Sequence, residues 1–193
     1  MNQRRMSPYC EADEFVVRGW MRLYLRQHLE WWLPKVGQVW TAAAIEARIE
    51  TVLLPRELEE LRCSARESKA LVAVLREGEA PLGLVYAEYR TDRYLDLRSG
   101  VLSWVYVVPE RRGEGLARAL LSYAHDWMIE QGCALREVFV TSANERAVAL
   151  YVAEGYHSVD QRLLAPAERP RAPINAAGPA TNLVGLDGAG GQE

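Results

Sequence analysis

Cysteine is scarce: Cys10, Cys63 and Cys133 are the only three in 193 residues. They form no CxxC pair and have no histidine at ligand spacing, which excludes a disulfide-stapled scaffold and a Cys–His zinc site. A reduced, cytoplasmic setting fits. The histidines, His28, His125 and His157, are equally scattered, so no metal site is expected and they read as ordinary surface or core residues. Lysine is nearly missing as well. Lys35 and Lys69 leave 23 − 2 = 21 arginines against 26 acids, a net charge of −3, so no broad positive field exists to hold nucleic acid or an anionic membrane. No stretch approaches the ~18 uninterrupted apolar residues of a membrane span, and the opening "MNQRRMSPYC" lacks the apolar core of a secretory signal. A soluble protein is expected.

What is present suffices for one ordinary domain, with 49% hydrophobic and 25% charged residues. Residues 1–165 are expected to form it. From Pro166 the chain is rich in proline, glycine and alanine without period, so 166–193 are expected to be a disordered tail. Helical spacing with acids in the first turn predicts a helix from Glu11 to just before Pro34. A second helix is predicted in "TAAAIEARIETVLL" up to Pro55, and a third in "RELEELRCSA". Then the pattern changes. "ALVAVLREGEAPLGLVYAEYR" reads as an antiparallel hairpin around "EGEAP", followed by the loop "TDRYLDLRSG" and a strand, "VLSWVYVV". A helix is predicted from about Gly113 to Gln131, with Leu116, Leu120, Ala124, Trp127 and Met128 on one stripe. A strand "REVFVT", a helix from near Asn144 and a last strand-like piece "YHSVDQRLLA" complete the order. The order implies a mixed α/β sheet flanked by helices.

The most informative stretch is "WVYVVPERRGEGLARALL", where a strand stops at a proline and becomes a helix. The first turn of a helix has backbone N–H groups without intrahelical partners and lies at the positive end of the helix dipole. A glycine-containing entry lets an anion approach that backbone, and Arg111, Arg112 and Arg118 surround the same turn with positive charge. The stretch reads as a pyrophosphate cradle. It is not a Walker loop, which needs G-x-x-x-x-G-K-[ST], nor a dinucleotide fingerprint, whose third glycine position is Arg118 here.

"VVPERRGEGLARALL" resembles the acetyl-CoA-binding motif of the GCN5-related N-acetyltransferases (GNAT superfamily), R/Q-x-x-G-x-G/A, matched by Arg112, Gly115 and Ala117. "NERAVALYVAEGY" is similar to that family's second motif, with Asn144, Ala147, Leu150, Tyr151, Gly155 and Tyr156 in place. The resemblance implies a mostly antiparallel central sheet with a splayed strand pair, and acetyl-CoA as co-substrate with no metal. It implies that the backbone of Arg112, Gly113, Glu114, Gly115, Leu116, Ala117 and Arg118 holds the pyrophosphate. The pantetheine arm would run beside Val105, Tyr106 and Val107. Asn144 would bond that arm, and Tyr151 would be the general acid for the departing thiolate. Two helical turns separate those two residues, and a phenol with pKa near ~10 is protonated at neutral pH.

An ammonium with pKa near ~10.4 must lose a proton before it attacks, so a base is needed. Peptide acetyltransferases of this superfamily often carry a glutamate five residues before the motif asparagine, where this chain has Phe139. The strand before the loop offers only "LSWVY". Glu88 on "GLVYAEYR" is the remaining candidate, with Thr141, Ser142 or a water relay as substitutes. Trp31, Trp32, Trp40 and Tyr94, with Glu30, Asp92 and Asp96, are the candidate acceptor walls, a combination that suits a cationic amine and core packing alike. The resemblance implies an N-acetyltransferase acting on an amine, small molecule or protein, by direct attack in a ternary complex. Two rivals stay open: a coenzyme A-binding sensor without turnover, supported by the missing usual base, and a scaffold that pairs through exposed tryptophans, as in a homodimer.

Overall fold

The computed structural model describes residues 3–165, so the tail expected from Pro166 lies outside the described residues. A five-stranded sheet runs in the order β1 (Arg4–Pro8), β2 (Ala70–Glu77), β3 (Ala80–Thr91), β4 (Arg98–Val107) and β5 (Leu135–Val138). The first four pair antiparallel; only β5 joins its neighbour in parallel. Helices cover both faces: α1 (Glu14–Trp32), α2 (Ala42–Arg48) and α3 (Leu54–Ser64) on one, α4 (Leu116–Glu130) and α5 (Glu145–Ala153) on the other. Side chains of a strand alternate between faces. Accordingly Val72 and Val74 pack under α1 and α3, while Ala73 and Leu75 pack under α4. Because both faces are buried, the central strands read as continuous apolar runs, "LVAVL" and "LGLVYA".

The elements differ from expectation in three places. The strand β1, "RRMSP", has no apolar alternation; it is an edge strand whose pairing partner, β2, supplies the order, with Arg4 opposite Glu77 and Met6 opposite Leu75. The two helices expected on either side of Pro55 form one continuous run. A π-turn, Ile49–Leu53, lies between α2 and α3, and the Leu54 N–H reaches back to the Ile49 carbonyl. Proline lacks an N–H and crowds the carbonyl four residues back, and a one-residue widening of the helix just before it relieves both problems. Finally, residues 157–165 form no regular element, and all are exposed. The strand-like alternation there pairs with no strand among the described residues.

Two close approaches fix how β4 lies. A Cβ on Gly83 would stand 2.4 Å from the Tyr106 carbonyl, so β3 and β4 meet there at a distance only glycine allows. A Cβ on Gly100 would stand 2.4 Å from Met128 Cγ, which is how α4 comes down onto the same strand.

Candidate active site

The cleft begins where β4 and β5 part. They pair only over Ser99–Leu102 with Leu135–Val138. In the β3–β4 ladder Tyr86 faces Trp104 while Ala87 faces Leu102, so Ser103 is an extra residue in β4. A bulge bends the strand that carries it, and this one sits just past Leu102, the last residue of the β5 pairing. Beyond it β4 keeps its β3 partner but has lost β5. The Val108 N–H donates to the Leu82 carbonyl at 2.9 Å. By the two-residue alternation of an antiparallel ladder, Tyr106 also bonds toward β3, while Val105 and Val107 turn their backbone groups to the open side. The Val107 carbonyl accepts from Arg112 Nε at 3.1 Å. Tyr106 points to the other face and stacks on Trp20 at 5.3 Å.

At the end of β4 a 3-10 turn, Pro109–Arg111, leads to Gly113 and Gly115, both left-handed with φ of 89° and 77°. A Cβ at either would meet nothing within 4 Å. The left-handed backbone demands the glycines, and the space before them is open to a ligand. Gly115 caps the N-terminus of α4. Among the described residues nothing accepts a hydrogen bond from the N–H groups of Gly113 through Arg118, six in a row. Such a row at a helix N-terminus is built for an anion.

The arginines behave differently from expectation. Arg111 is forked onto Glu77 and Glu114, at 3.0 and 2.6 Å, and Arg4 joins the same two carboxylates. Arg111 first of all holds both carboxyl groups below the usual carboxylate range. Arg112 serves Val107, and Arg118 pairs with Glu154 at 2.9 Å. Attraction for an anion therefore rests on the backbone amides and helix dipole more than on free guanidinium charge. The Arg118 pair is exposed and can exchange its partner at little cost.

Facing this turn is α5. Asn144 caps it, its Oδ1 accepting from the Ala147 N–H at 3.4 Å, which leaves its amide N–H groups for another acceptor. Tyr151, half-buried, meets the Tyr156 ring edge-on with centroids 5.6 Å apart. Burial pushes its phenol up to about 12, and the nearby Tyr24 adds to the rise. Behind it is a cluster the sequence did not disclose. Arg136 Nη1 lies 2.8 Å from His125 Nδ1, and His125 Nε2 lies 2.9 Å from the Tyr156 hydroxyl. Arginine can only donate, so Nδ1 accepts and Nε2 carries the hydrogen given to Tyr156. Burial, then the Arg136 charge, lowers the pKa of this imidazole and keeps it neutral. His125 is thus a structural bridge between α4 and the end of α5.

On the opposite face a small cavity of ≈ 90 Å³ opens between α1, α3, β3 and β4, lined by Tyr24, Glu57, Glu60, Tyr86, Ser103 and Trp104, with Met21 and Leu61 as its apolar walls. The Tyr86 hydroxyl donates to Glu88 Oε2 at 3.3 Å and also meets Ser64 Oγ at 2.9 Å. So Glu88 stands beside the cavity. Glu60 is held above the usual carboxylate range by burial first, then by the neighbouring charges of Glu57 and Glu88. The Tyr24 phenol is raised by burial and by Glu57, and it is the same phenol that acts on Tyr151. Tyr24 therefore links the cavity to the cleft.

Most of the other expected acceptor walls lie elsewhere. Asp92 caps the β3–β4 loop, accepting from the N–H groups of Tyr94 and Leu95, and Tyr94 is 79% exposed. Asp96 takes a left-handed turn position in the same loop. Glu30 and Trp40 are exposed, and Trp31 is half-buried. Trp32 packs on His28 and donates to Thr141 Oγ1 at 3.4 Å, bridging α1 to the segment after β5. Phe139 is 78% exposed. Glu57 and Glu60 leave a signal in the sequence, since three apart on a helix they share a face.

Comparison with known proteins bears on the family and the fold. The model of the Acetyltransferase (GNAT) family matches residues 25–156, a span that includes the glycine turn and α5. No curated protein sequence matches the chain. Solved structures of similar fold include a transcriptional regulator from Bacillus halodurans C-125, 15% identical with TM-score 0.63, covering 84% of this chain and 98% of that one. The aminoglycoside antibiotic 6'-N-acetyltransferase AAC(6')-IG from Acinetobacter haemolyticus is 18% identical with TM-score 0.58, covering 86% of this chain and 99% of that one. AAC(6')-Iy, solved in complex with the bisubstrate analog CoA-S-monomethyl-acetylneamine, is 16% identical with TM-score 0.58, covering 88% and 99%. At these identities the likeness is one of fold.

Proposed function

This chain belongs to the Acetyltransferase (GNAT) family, and from that premise we propose that it moves the acetyl group of acetyl-CoA onto a primary amine by direct attack in a ternary complex. The observation that carries the reading is the row of six N–H groups without acceptors that opens α4, lying just past a strand whose own backbone is unpaired on the same side. The amides of Gly113 to Arg118 would hold the diphosphate, and Arg112 would keep the turn against Val107. The N–H groups of Val105 and Val107, with the Asn144 amide, would bond the pantetheine arm. The Val107 N–H would also polarise the thioester carbonyl.

Acetyl-CoA supplies an activated acyl thioester; the chain supplies position and proton control. Glu88 takes the proton that the ammonium loses. The amine lone pair then forms the C–N bond as the C–S bond breaks, and the sulfur leaves as a thiolate. Tyr151 meets it with its O–H. A phenol near 12 is a weaker acid than a thiol, ordinarily near ~8.5. Tyr151 thus stabilises the thiolate chiefly by donating a hydrogen bond.

The test is calorimetry with acetyl-CoA and free coenzyme A, followed by thiol release with a panel of amines. Micromolar binding with release from at least one amine is expected. Absence of heat with either ligand at millimolar concentration overturns the reading. Binding without release from any amine, and without an effect of Tyr151→Phe, is the behaviour of a sensor instead.

A further inference from the structure

The proton donor of the proposed transfer has no hydrogen bond of its own: among the described residues no group bonds the Tyr151 hydroxyl. Its aim is therefore set by what its ring rests on. That ring meets Tyr156 edge-on, with 66° between the planes and 5.6 Å between the centroids. An edge-to-face pair constrains tilt as well as distance, so the direction of one ring follows that of the other.

Tyr156 in turn is held from three sides. Gly155, left-handed with φ of 85°, turns the chain back at the end of α5, and the Tyr156 N–H donates to the Tyr151 carbonyl at 3.0 Å. His125 on α4, only 8% exposed, donates from Nε2 to the Tyr156 hydroxyl at 2.9 Å. The Arg136 guanidinium lies over the Tyr156 ring at 5.5 Å and donates to His125 Nδ1 at 2.8 Å. Arg136 thus decides which nitrogen of His125 carries the hydrogen, and that hydrogen anchors the Tyr156 ring. Filling the core here would take none of these polar groups, since phenylalanine occupies nearly the volume of Tyr156. All three contacts converge instead on the ring against which Tyr151 leans.

Resting on the transfer proposed above, we infer that His125 and Tyr156 are positioning residues for Tyr151: Arg136, His125 and Tyr156 form a chain that fixes the Tyr156 ring, and that ring aims the Tyr151 hydroxyl at the departing sulfur. No proton moves along the chain, because its last contact is ring to ring. Neither residue is assigned a contact with acetyl-CoA or the amine, so their loss slows the step in which the thiolate forms and spares binding.

The full chain is to be assayed for thiol release with an amine that it turns over. Tyr156→Phe keeps the ring and removes its anchor; kcat is expected to fall about 10-fold, with KM for acetyl-CoA and for the amine within about threefold. His125→Leu is expected to do the same, while His125→Gln, whose amide N–H can still reach the Tyr156 hydroxyl, retains most of the rate. The decisive arm is a double-mutant cycle. Once Tyr151 is phenylalanine there is no hydroxyl left to aim, so adding Tyr156→Phe should change kcat less than about twofold. An equal loss with and without the Tyr151 hydroxyl overturns the inference, as does an unchanged kcat in Tyr156→Phe or a loss carried wholly by KM. Should His125→Leu fail to fold, the Tyr156→Phe cycle decides alone. Release from no amine takes down the transfer reading and this inference with it, whereas additive losses in a protein that does turn over take down this inference alone.

Discussion

At the scale of the residue, Tyr151 and His125 show how burial sets chemistry. With its phenol near 12, Tyr151 keeps its proton across the working range, so its contribution does not fade below about pH 10. Tyr151→Phe is expected to lower kcat about 100-fold while the KM for acetyl-CoA changes less than about threefold, the pattern of a bond made only as the thiolate forms. Steady-state thiol release checks both numbers. For His125 the sign follows from its lowered pKa. The folded protein resists protonation at Nδ1, which faces Arg136 and carries the hydrogen bond from it. The unfolded chain takes up its proton near its ordinary ~6.5, so this stability is fully present above that value and is lost as pH falls through the lower folded pKa. Urea midpoints are expected to drop between pH 7 and 5 more steeply in the unaltered protein than in His125→Gln.

At the scale of the element, the cleft depends on how closely strands approach. Gly83→Ala is expected to destabilise the protein by about 2 kcal/mol, because a Cβ would meet the Tyr106 carbonyl, which is backbone and cannot turn aside. The same change displaces Val107, so coenzyme A affinity should fall with it; denaturant titration and calorimetry on one variant test both. Elements with their own periodicity were legible in the sequence: α1, α4, the β2–β3 hairpin, and α5 with its asparagine cap. So was the glycine turn, since left-handed backbone leaves a mark in residue type. Elements that borrow their order from a neighbour were not. β1 is polar and short, and its partner decides it. The π-turn is invisible because Pro55 alone reads as a stop. The Ser103 bulge arises from two ladders competing for one strand, and nothing within "LSWVY" announces it. The cavity is not legible for a related reason: its walls come from four elements far apart in sequence, and its acids, Glu57 and Glu60, belong to no motif.

At the scale of the whole molecule, the N-terminal strand, the entry to α1 and the hairpin are joined at one buried ion pair. Asp13 is 3% exposed and accepts from Arg76 and from the Cys10 N–H, while Arg76 also donates to Ser7 Oγ. Removing the negative charge leaves a largely buried guanidinium without a counter-ion. Asp13→Asn is expected to cost about 3 kcal/mol, read from the urea midpoint at constant slope. Exposed pairs such as Arg5 with Glu79 should contribute almost nothing by the same measurement.

The four-residue seam between β4 and β5 makes the last described part of the chain a hinged leaf. The body holds it by that short ladder, by apolar contacts of Leu150, Tyr151 and Tyr156, by the His125 bridge, and by the polar contacts of Trp32 with Thr141, Arg118 with Glu154 and Arg90 with Glu137. A pantetheine arm that bonded both lips would stand in for the missing rungs and latch the leaf shut. Amide exchange over residues 135–156 should then slow by about 2.7 kcal/mol at a ligand concentration one hundred times Kd, while exchange in β2 and β3 stays as it was. On this view, occupancy by the thioester is also what holds Tyr151 in register with it.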